Sequence, residues 1–144
     1  MKPTTTPRCS EVEILIVEDS PTQAEQLRNV LETHGYRVTV ARNGQEALAT
    51  MRQRPPTLVI TDIVMPDMDG YELCRQIKAD PALNCLPVML LTSLSDPVDV
   101  IRGLECGADS FNFKPWEKRQ MLARIAYLLA NPQLREADQT QMNV

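Results

Sequence analysis

The sequence predicts an α/β fold, an open and mostly parallel sheet with helices on both faces. Three features point there. Apolar runs of four to seven residues alternate with longer segments of helical period, which is the pattern of repeated βα units. Two of the runs, TLVIT (57–61) and PVMLLT (87–92), are apolar at nearly every position, as strands covered on both faces are. A length of 144 residues with 43% hydrophobic content is enough to bury one core and short for two. The expected organisation is an extension at 1–10, one domain over 11–130, and a tail or linker over 131–144.

Five units can be read in order. VEILIV (12–17) is the first strand. The helix after it, SPTQAEQLRNVLETHG (20–35), can be capped by Asp19 or Ser20, takes Pro21 in its first turn, buries Ala24, Leu27 and Leu31, and stops at Gly35. YRVTVA (36–41) alternates as a more exposed edge strand does. NGQEALATMRQ (43–53) places Glu46 three residues after Asn43, a capping-box-like start, and turns Ala47, Leu48 and Met51 inward. TLVIT and PVMLLT are expected at the centre of the sheet, and DGYELCRQIKA (69–79) between them carries Leu73 and Ile77 at helical spacing. In the fourth helix Asp96 is the expected cap, Pro97 the first residue and Gly107 the stop, with Val100, Ile101 and Leu104 lining the inner face. Gly103 inside that helix costs roughly 1 kcal/mol against Ala, so it is expected to be the most mobile of the helices. DSFNF (109–113) is a short fifth strand, and EKRQMLARIAYLLA (117–130) the last helix, with Leu122, Ile125, Ala126 and Leu129 expected inward. Asn131-Pro132 then breaks the pattern.

Several function classes are disfavoured. A net charge of −4 with no Lys/Arg cluster argues against nucleic acid as a direct partner, because phosphate backbones call for a basic surface. The N-terminal MKPTTTPRCSEVE lacks a signal-like apolar segment, and no run reaches the roughly 18 apolar residues of a membrane span. The chain reads as soluble and cytoplasmic. Cys9, Cys74, Cys85 and Cys106 show no C-x-x-C spacing and read as reduced thiols rather than a zinc site. His34, the single histidine, falls near a helix end, where an imidazole commonly meets solvent or the last carbonyls.

Open α/β sheets bind ligands at the carboxyl ends of their strands. There the sequence places Glu18 and Asp19 after the first strand, Arg42 after the second, Asp62 after the third, Thr92 after the fourth and Lys114 after the fifth. Any one of these could be a cap or an ordinary polar strand end, and Asp62 itself could be a turn cap. Jointly they place three carboxylates, a hydroxyl and an ammonium on one rim. Close carboxylates repel and raise the pKa of at least one of them unless a cation intervenes. The suited guest is Mg²⁺, with Mn²⁺ as an alternative, a hard ion that takes carboxylate and phosphate oxygens. Beside such a cation and Lys114, Asp62 is a plausible nucleophile towards phosphorus, with Thr92 as a hydrogen-bond donor to the transferred group.

The residues VEDS (17–20), ITDIVMPDMDG (60–70), LLTS (90–93) and FKP (113–115), in this order and spacing, resemble the receiver domain of two-component response regulators over roughly residues 12–130. The resemblance implies a flavodoxin-like (βα)5 three-layer sandwich with parallel strand order 2-1-3-4-5. It implies Asp62 as phosphoacceptor, Glu18 and Asp19 as the metal-side acidic pair, and the Val64 backbone carbonyl as a further metal ligand. Thr92 becomes the switch hydroxyl, Lys114 the phosphate-binding lysine, and Pro115 the second residue of a cis peptide bond that would aim the lysine inward. Phe111 stands where many members carry Tyr, so a hydroxyl contact is lost while ring rotation can still follow Thr92. Trp116 stands where a smaller aromatic is usual, beside the family's partner surface. The implied partners are a histidine kinase or His-containing phosphotransfer protein that donates the phosphoryl group, and a downstream effector. The implied product is a signalling switch rather than an enzyme, monomeric or weakly dimeric, standing free or cut from a hybrid kinase or multi-domain regulator.

Two rivals share parts of this pattern. An Asp-nucleophile phosphohydrolase needs a second acid two residues after the nucleophile, where this chain has Val64. A flavin- or nucleotide-binding module needs a Gly- or hydroxyl-rich loop after the first strand, where this chain has the acidic EDSPTQ.

Overall fold

The computed structural model describes residues 11–93 and 97–130. Five strands, β1 (Glu13–Val17), β2 (Arg37–Ala41), β3 (Leu58–Asp62), β4 (Val88–Thr92) and β5 (Ser110–Phe113), alternate with five helices, α1 (Pro21–Thr33), α2 (Gly44–Gln53), α3 (Gly70–Ala79), α4 (Pro97–Glu105) and α5 (Lys118–Ala130). The strands form one parallel sheet in the order β2-β1-β3-β4-β5. Each strand lies within a residue of its expected position. The shift matters at Asp62, which is the last paired residue of β3, opposite Leu91 of β4, rather than the first residue of a loop.

The uniformly apolar central strands follow from a sheet buried on both faces. Leu15, Val17, Val59, Val88 and Leu90 pack towards α2 and α3. Ile14, Ile16, Leu58, Ile60, Met89 and Leu91 alternate with them and pack towards α1 and α5. Along β1, β3 and β4 no charged residue interrupts the buried run before Asp62, and Glu18 and Asp62 fall at the carboxyl rim.

The helix starts are set by side-chain caps. Ser20, not Asp19, caps α1 and accepts from the Gln23 amide at 3.4 Å, with Pro21 at the first position. Asn43 accepts from Glu46 N–H at 2.8 Å and Asp69 from Glu72 N–H at 2.8 Å. The stop after α1 uses Gly35 at φ 101°, a conformation that glycine adopts without steric cost. His34 is exposed at that end, its ring tilted against Tyr36. Cys74 and Cys106 are buried free thiols and Cys85 an exposed one; Cys9 lies outside the described residues.

Two helices are rotated from the orientation that the sequence suggests. In α4, Ile101 and Leu104 face outward, 55% and 66% exposed, while Gly103 and Cys106 are buried. The cause is the Phe111 ring on β5, which occupies the space that a Cβ at position 103 would need. Glycine is therefore at 103 for packing, and the apolar stripe of α4 is left on the surface. The Val100 side chain and the cap at Asp96 lie outside the described residues. In α5 the buried set is Met121, Ile125, Leu128 and Leu129, with Leu122 half-buried and Ala126 exposed. The i, i+4, i+7, i+8 stripe thus begins one position before the expected one.

Gly70 is the tightest joint next to the rim. A Cβ there would overlap the Asp62 carbonyl oxygen and come within 2.9 Å of Ile63 Cα, both backbone atoms that no rotamer change can move. Gly70→Ala is expected to destabilise the fold by about 2 kcal/mol, within the usual range for overpacking, measured as a lower midpoint of urea unfolding.

Candidate functional site

At the carboxyl edge of the sheet, Glu18 and Asp19 follow β1, Asp62 is the last residue of β3, and Lys114 follows β5. One oxygen of each buried carboxylate is held by a backbone amide, and the other faces the same ammonium. Ser20 N–H donates to Glu18 Oε2 at 3.2 Å, and Ile63 N–H donates to Asp62 Oδ1 at 2.9 Å. Lys114 Nζ lies 3.2 Å from Glu18 Oε1 and 3.2 Å from Asp62 Oδ2. Its third contact is Gln23 Oε1 at 2.5 Å. The lysine backbone is fixed by its own N–H donating to the Thr92 carbonyl at 2.7 Å, and the Lys114–Pro115 peptide bond is cis.

The three carboxylates offer oxygens that all lie within 4.8 Å of one another. Burial pushes the Glu18 carboxyl above its ordinary value of 4.5, and the neighbouring Asp62 charge pushes it further; the Ser20 amide and Lys114 oppose this without cancelling it. An all-oxygen donor set with unrelieved negative charge suits a hard divalent cation such as Mg²⁺. Asp19 is the exposed member and Glu18, only 6% exposed, the buried one. Solvent thus reaches the site from the Asp19 side.

Glu18, Asp19, Asp62, Val64, Lys114 and Pro115 border one open cleft, which runs on along α1 past Gln23 and Gln26 to Trp116. Three residues singled out from the sequence stand apart from it, among them Arg42, which is exposed after β2. Thr92 is 1% exposed at the end of β4, and its neighbours Leu91 and Ser93 border the cleft where it does not. Phe111 packs on the opposite face of the sheet, against Gly103 and the α2–α3 side of the core. Gln23 and Ser93 also border the cleft; Ser93 closes the LLTS stretch without an assigned role, and Gln23 belongs to none of the four receiver-like motifs. The only sequence signal for Gln23 is its place in the first turn of α1, three residues after the Ser20 cap.

A doubly wound sheet of five parallel strands with an acidic, lysine-bridged pocket at its carboxyl edge defines a domain that receives a phosphoryl group. The response regulator receiver domain family matches residues 14–126, and the chain belongs to it. It is a phosphoacceptor domain of two-component signalling. The DNA-binding response regulator MtrA of Mycolicibacterium smegmatis is 39% identical over 112 residues, 78% of this chain and 48% of that protein. The chain spans about half the length of the curated relatives it matches. Among solved structures, the receiver domain of a signal transduction histidine kinase from Syntrophus aciditrophicus shares 52% identity and a TM-score of 0.79, covering 83% of this chain and 90% of that one. The receiver domain of the sensor histidine kinase PA1611 of Pseudomonas aeruginosa shares 28% identity and a TM-score of 0.75, covering 83% and 97%. That structure has a magnesium ion coordinated in its active-site cleft. No described helix of the present chain is long and apolar enough to cross a membrane.

The raised Glu18 carboxyl makes stability depend on pH with a definite sign. Its folded-state pKa lies above its unfolded value, so the unfolded chain releases the proton first and stability falls as pH rises from about 4.5 through the folded value. Glu18→Gln removes that ionisation. In chelator, its melting temperature is expected to exceed that of the parent at pH 7 by a few degrees, with the gap closing as pH falls through the raised folded value towards 4.5. A gap independent of pH would show that the ionised Glu18 is not the destabilising group.

Proposed function

We propose that Asp62 is the residue phosphorylated, by a phosphohistidine of a partner histidine kinase or His-containing phosphotransfer protein. The observation that carries this assignment is the division of labour on its carboxylate. Oδ1 is pinned by the Ile63 amide, and Oδ2 is presented to Lys114 and the cleft. Oδ2 attacks phosphorus, the donor's N–P bond breaks, and its electron pair returns to the imidazole nitrogen. Lys114 follows the developing charge from Oδ2 to a phosphoryl oxygen. Glu18, Asp19, Asp62 and the Val64 carbonyl would hold Mg²⁺ or Mn²⁺, and the chemistry such an ion supplies is neutralisation of the carboxylates and the phosphoryl oxygens. The cleft volume of about 1010 Å³ is far more than a phosphoryl group fills, which suits a donor that enters with its own protein around it. Residues 11–130 form the receiver in this reading, with 1–10 and 131–144 as flanking extensions.

The product is a signal rather than a turnover intermediate. Val64, 63% exposed at the cleft, offers no acid or base to activate a hydrolytic water, so the acyl phosphate persists. Its presence biases two arrangements of the segment from Thr92 to Trp116, through Thr92, Lys114 and the Phe111 ring. Lys114 is already tied to Thr92 through the backbone, and Thr92 pairs with Phe113. The surface that reads the change is the outward apolar set Ile101, Leu104, Phe113 and Tyr127, where a protein partner or effector docks. An acidic chain of net charge −4 supports protein rather than nucleic acid as the direct partner of this domain and a cytoplasmic setting. The DNA binding in the name of MtrA belongs to a protein about twice as long.

Incubation with acetyl phosphate and Mg²⁺ is expected to add one phosphoryl group to the parent protein and none to Asp62→Asn, read by intact mass. Labelling that survives in Asp62→Asn would place the acceptor elsewhere. Millimolar Mg²⁺ alone is expected to raise the melting temperature of the parent by relieving carboxylate repulsion, and to raise that of Glu18→Gln less; equal shifts would remove Glu18 from the metal site.

A further inference from the structure

An ammonium has three N–H donors, and the Lys114 ammonium has three oxygen neighbours: it donates to Glu18 Oε1 and Gln23 Oε1 and forms an ion pair with Asp62 Oδ2 at 3.2 Å. The Gln23 contact, at 2.5 Å, is the shortest of the three. Gln23 reaches the lysine from α1, the helix opposite β5 across the cleft, and its own backbone is anchored by the Ser20 cap. The lysine stem is 20% exposed, so without an anchor on its open side the ammonium is free to swing towards water. Glu18 and Asp62 hold it from below, and Gln23 is the contact from the solvent side. A neutral amide does this without adding a fourth negative charge to a rim that already holds three carboxylates.

We infer that Gln23 is a positioning residue for phosphoryl transfer, holding the Lys114 ammonium over Asp62 Oδ2 so that it meets the incoming phosphoryl oxygens without first being recaptured from solvent. The inference rests on Asp62 being the acceptor. It also assigns a role to the direction in which the cleft continues: the same wall of α1 that borders the donor's approach sets the lysine. A donor that displaces the Gln23 amide would release the lysine to the phosphoryl group at the moment of docking.

The test uses the full chain with acetyl phosphate at saturating Mg²⁺. Gln23→Met keeps the length and helix preference of the side chain and removes the acceptor; its labelling is expected to be about fivefold slower, the usual scale of one partly exposed hydrogen bond to a charged group. Gln23→Glu keeps an acceptor at the same reach but adds a fourth negative charge to the rim, so it is expected to label faster than Gln23→Met and more slowly than the parent; a Gln23→Glu protein no faster than Gln23→Met would count against the acceptor role. Thr22→Ala, on the exposed side of the same turn, controls for the helix itself. The decisive measurement is a double-mutant cycle: in a Lys114→Met background, Gln23→Met is expected to have no further effect. A merely structural role for Gln23 would slow labelling equally in both backgrounds, and that result overturns the inference. So does a Gln23→Met protein that labels at the parent rate. Trp116, the single tryptophan and a neighbour of the same cleft, reports Mg²⁺ binding by fluorescence. An Mg²⁺ affinity weakened in parallel with the labelling rate would show that Gln23 acts through the carboxylates, not the lysine. Labelling that persists in Asp62→Asn would instead defeat the acceptor assignment itself.

Discussion

The rim is organised by one ammonium shared between two carboxylates. Glu18 and Lys114 lie 96 residues apart in sequence, on strands separated by β3 and β4. β3 and β5 alone are two strand spacings apart, about 10 Å in the hydrogen-bonding direction. A four-carbon stem can cross that gap, over the end of β4, and carry a point charge with three rotatable donors. Two further features follow from the crossing. β4 must end without a bulky obstruction at the site, and Thr92 accordingly turns its side chain into the protein while its carbonyl holds the lysine backbone. The two carboxylates must be held apart from each other yet aimed at one point, and the Ser20 and Ile63 amides do that.

The site is poised rather than relaxed. Lysine offsets part of the repulsion between Glu18 and Asp62 and leaves the Glu18 carboxyl raised. A rim that was fully neutralised by its own residues would have little to gain from a cation or from a phosphoryl group's metal partner. The residual charge is therefore what links metal affinity to stability, because any ion bound only by the folded chain stabilises it.

Much of this was readable in the sequence, and the parts that were not share a cause. The central strands and the rim residues were legible because strands buried on both faces carry their charged groups at their ends; Glu18, Asp62 and Lys114 stood out against runs such as TLVIT, whereas the full strand order came from the resemblance those rim motifs carry. The orientation of α4 was not. Its apolar stripe is real, but the rule that apolar residues point inward fails where a large neighbour already fills the space. Phe111 does so from β5, and Gly103, which looked like a weak point in a helix, is the residue that accommodates the ring. In α5 the stripe was shifted by one position because Met121 was left out of it, although it sits fully buried against Asn112. Gln23 was illegible for a different reason. Nothing local marks an amide in a first helical turn, and only the fold brings it to a lysine 91 residues away.

The same packing connects the rim to the exposed face of α4. Phe111 and Phe113 stack on one side of β5, at 6.2 Å between ring centroids, while Asn112 between them faces α5. In the proposed switch, a shift at the Thr92–Lys114 end of β4 and β5 would pass along this short strand to the Phe111 ring, which packs against Gly103. A glycine cannot follow the ring with a side chain of its own, so a moved Phe111 leaves either a void beside α4 or a clash with it. Both are costly in a close-packed interior, and α4 can relieve either by moving as a body. The outward Ile101 and Leu104 would then move with it. How far the balance shifts is bounded by the difference in contact energy that a phosphoryl group makes in the two arrangements. In the proposed mechanism that difference is set at the rim by how firmly Lys114 is held before the phosphoryl group arrives.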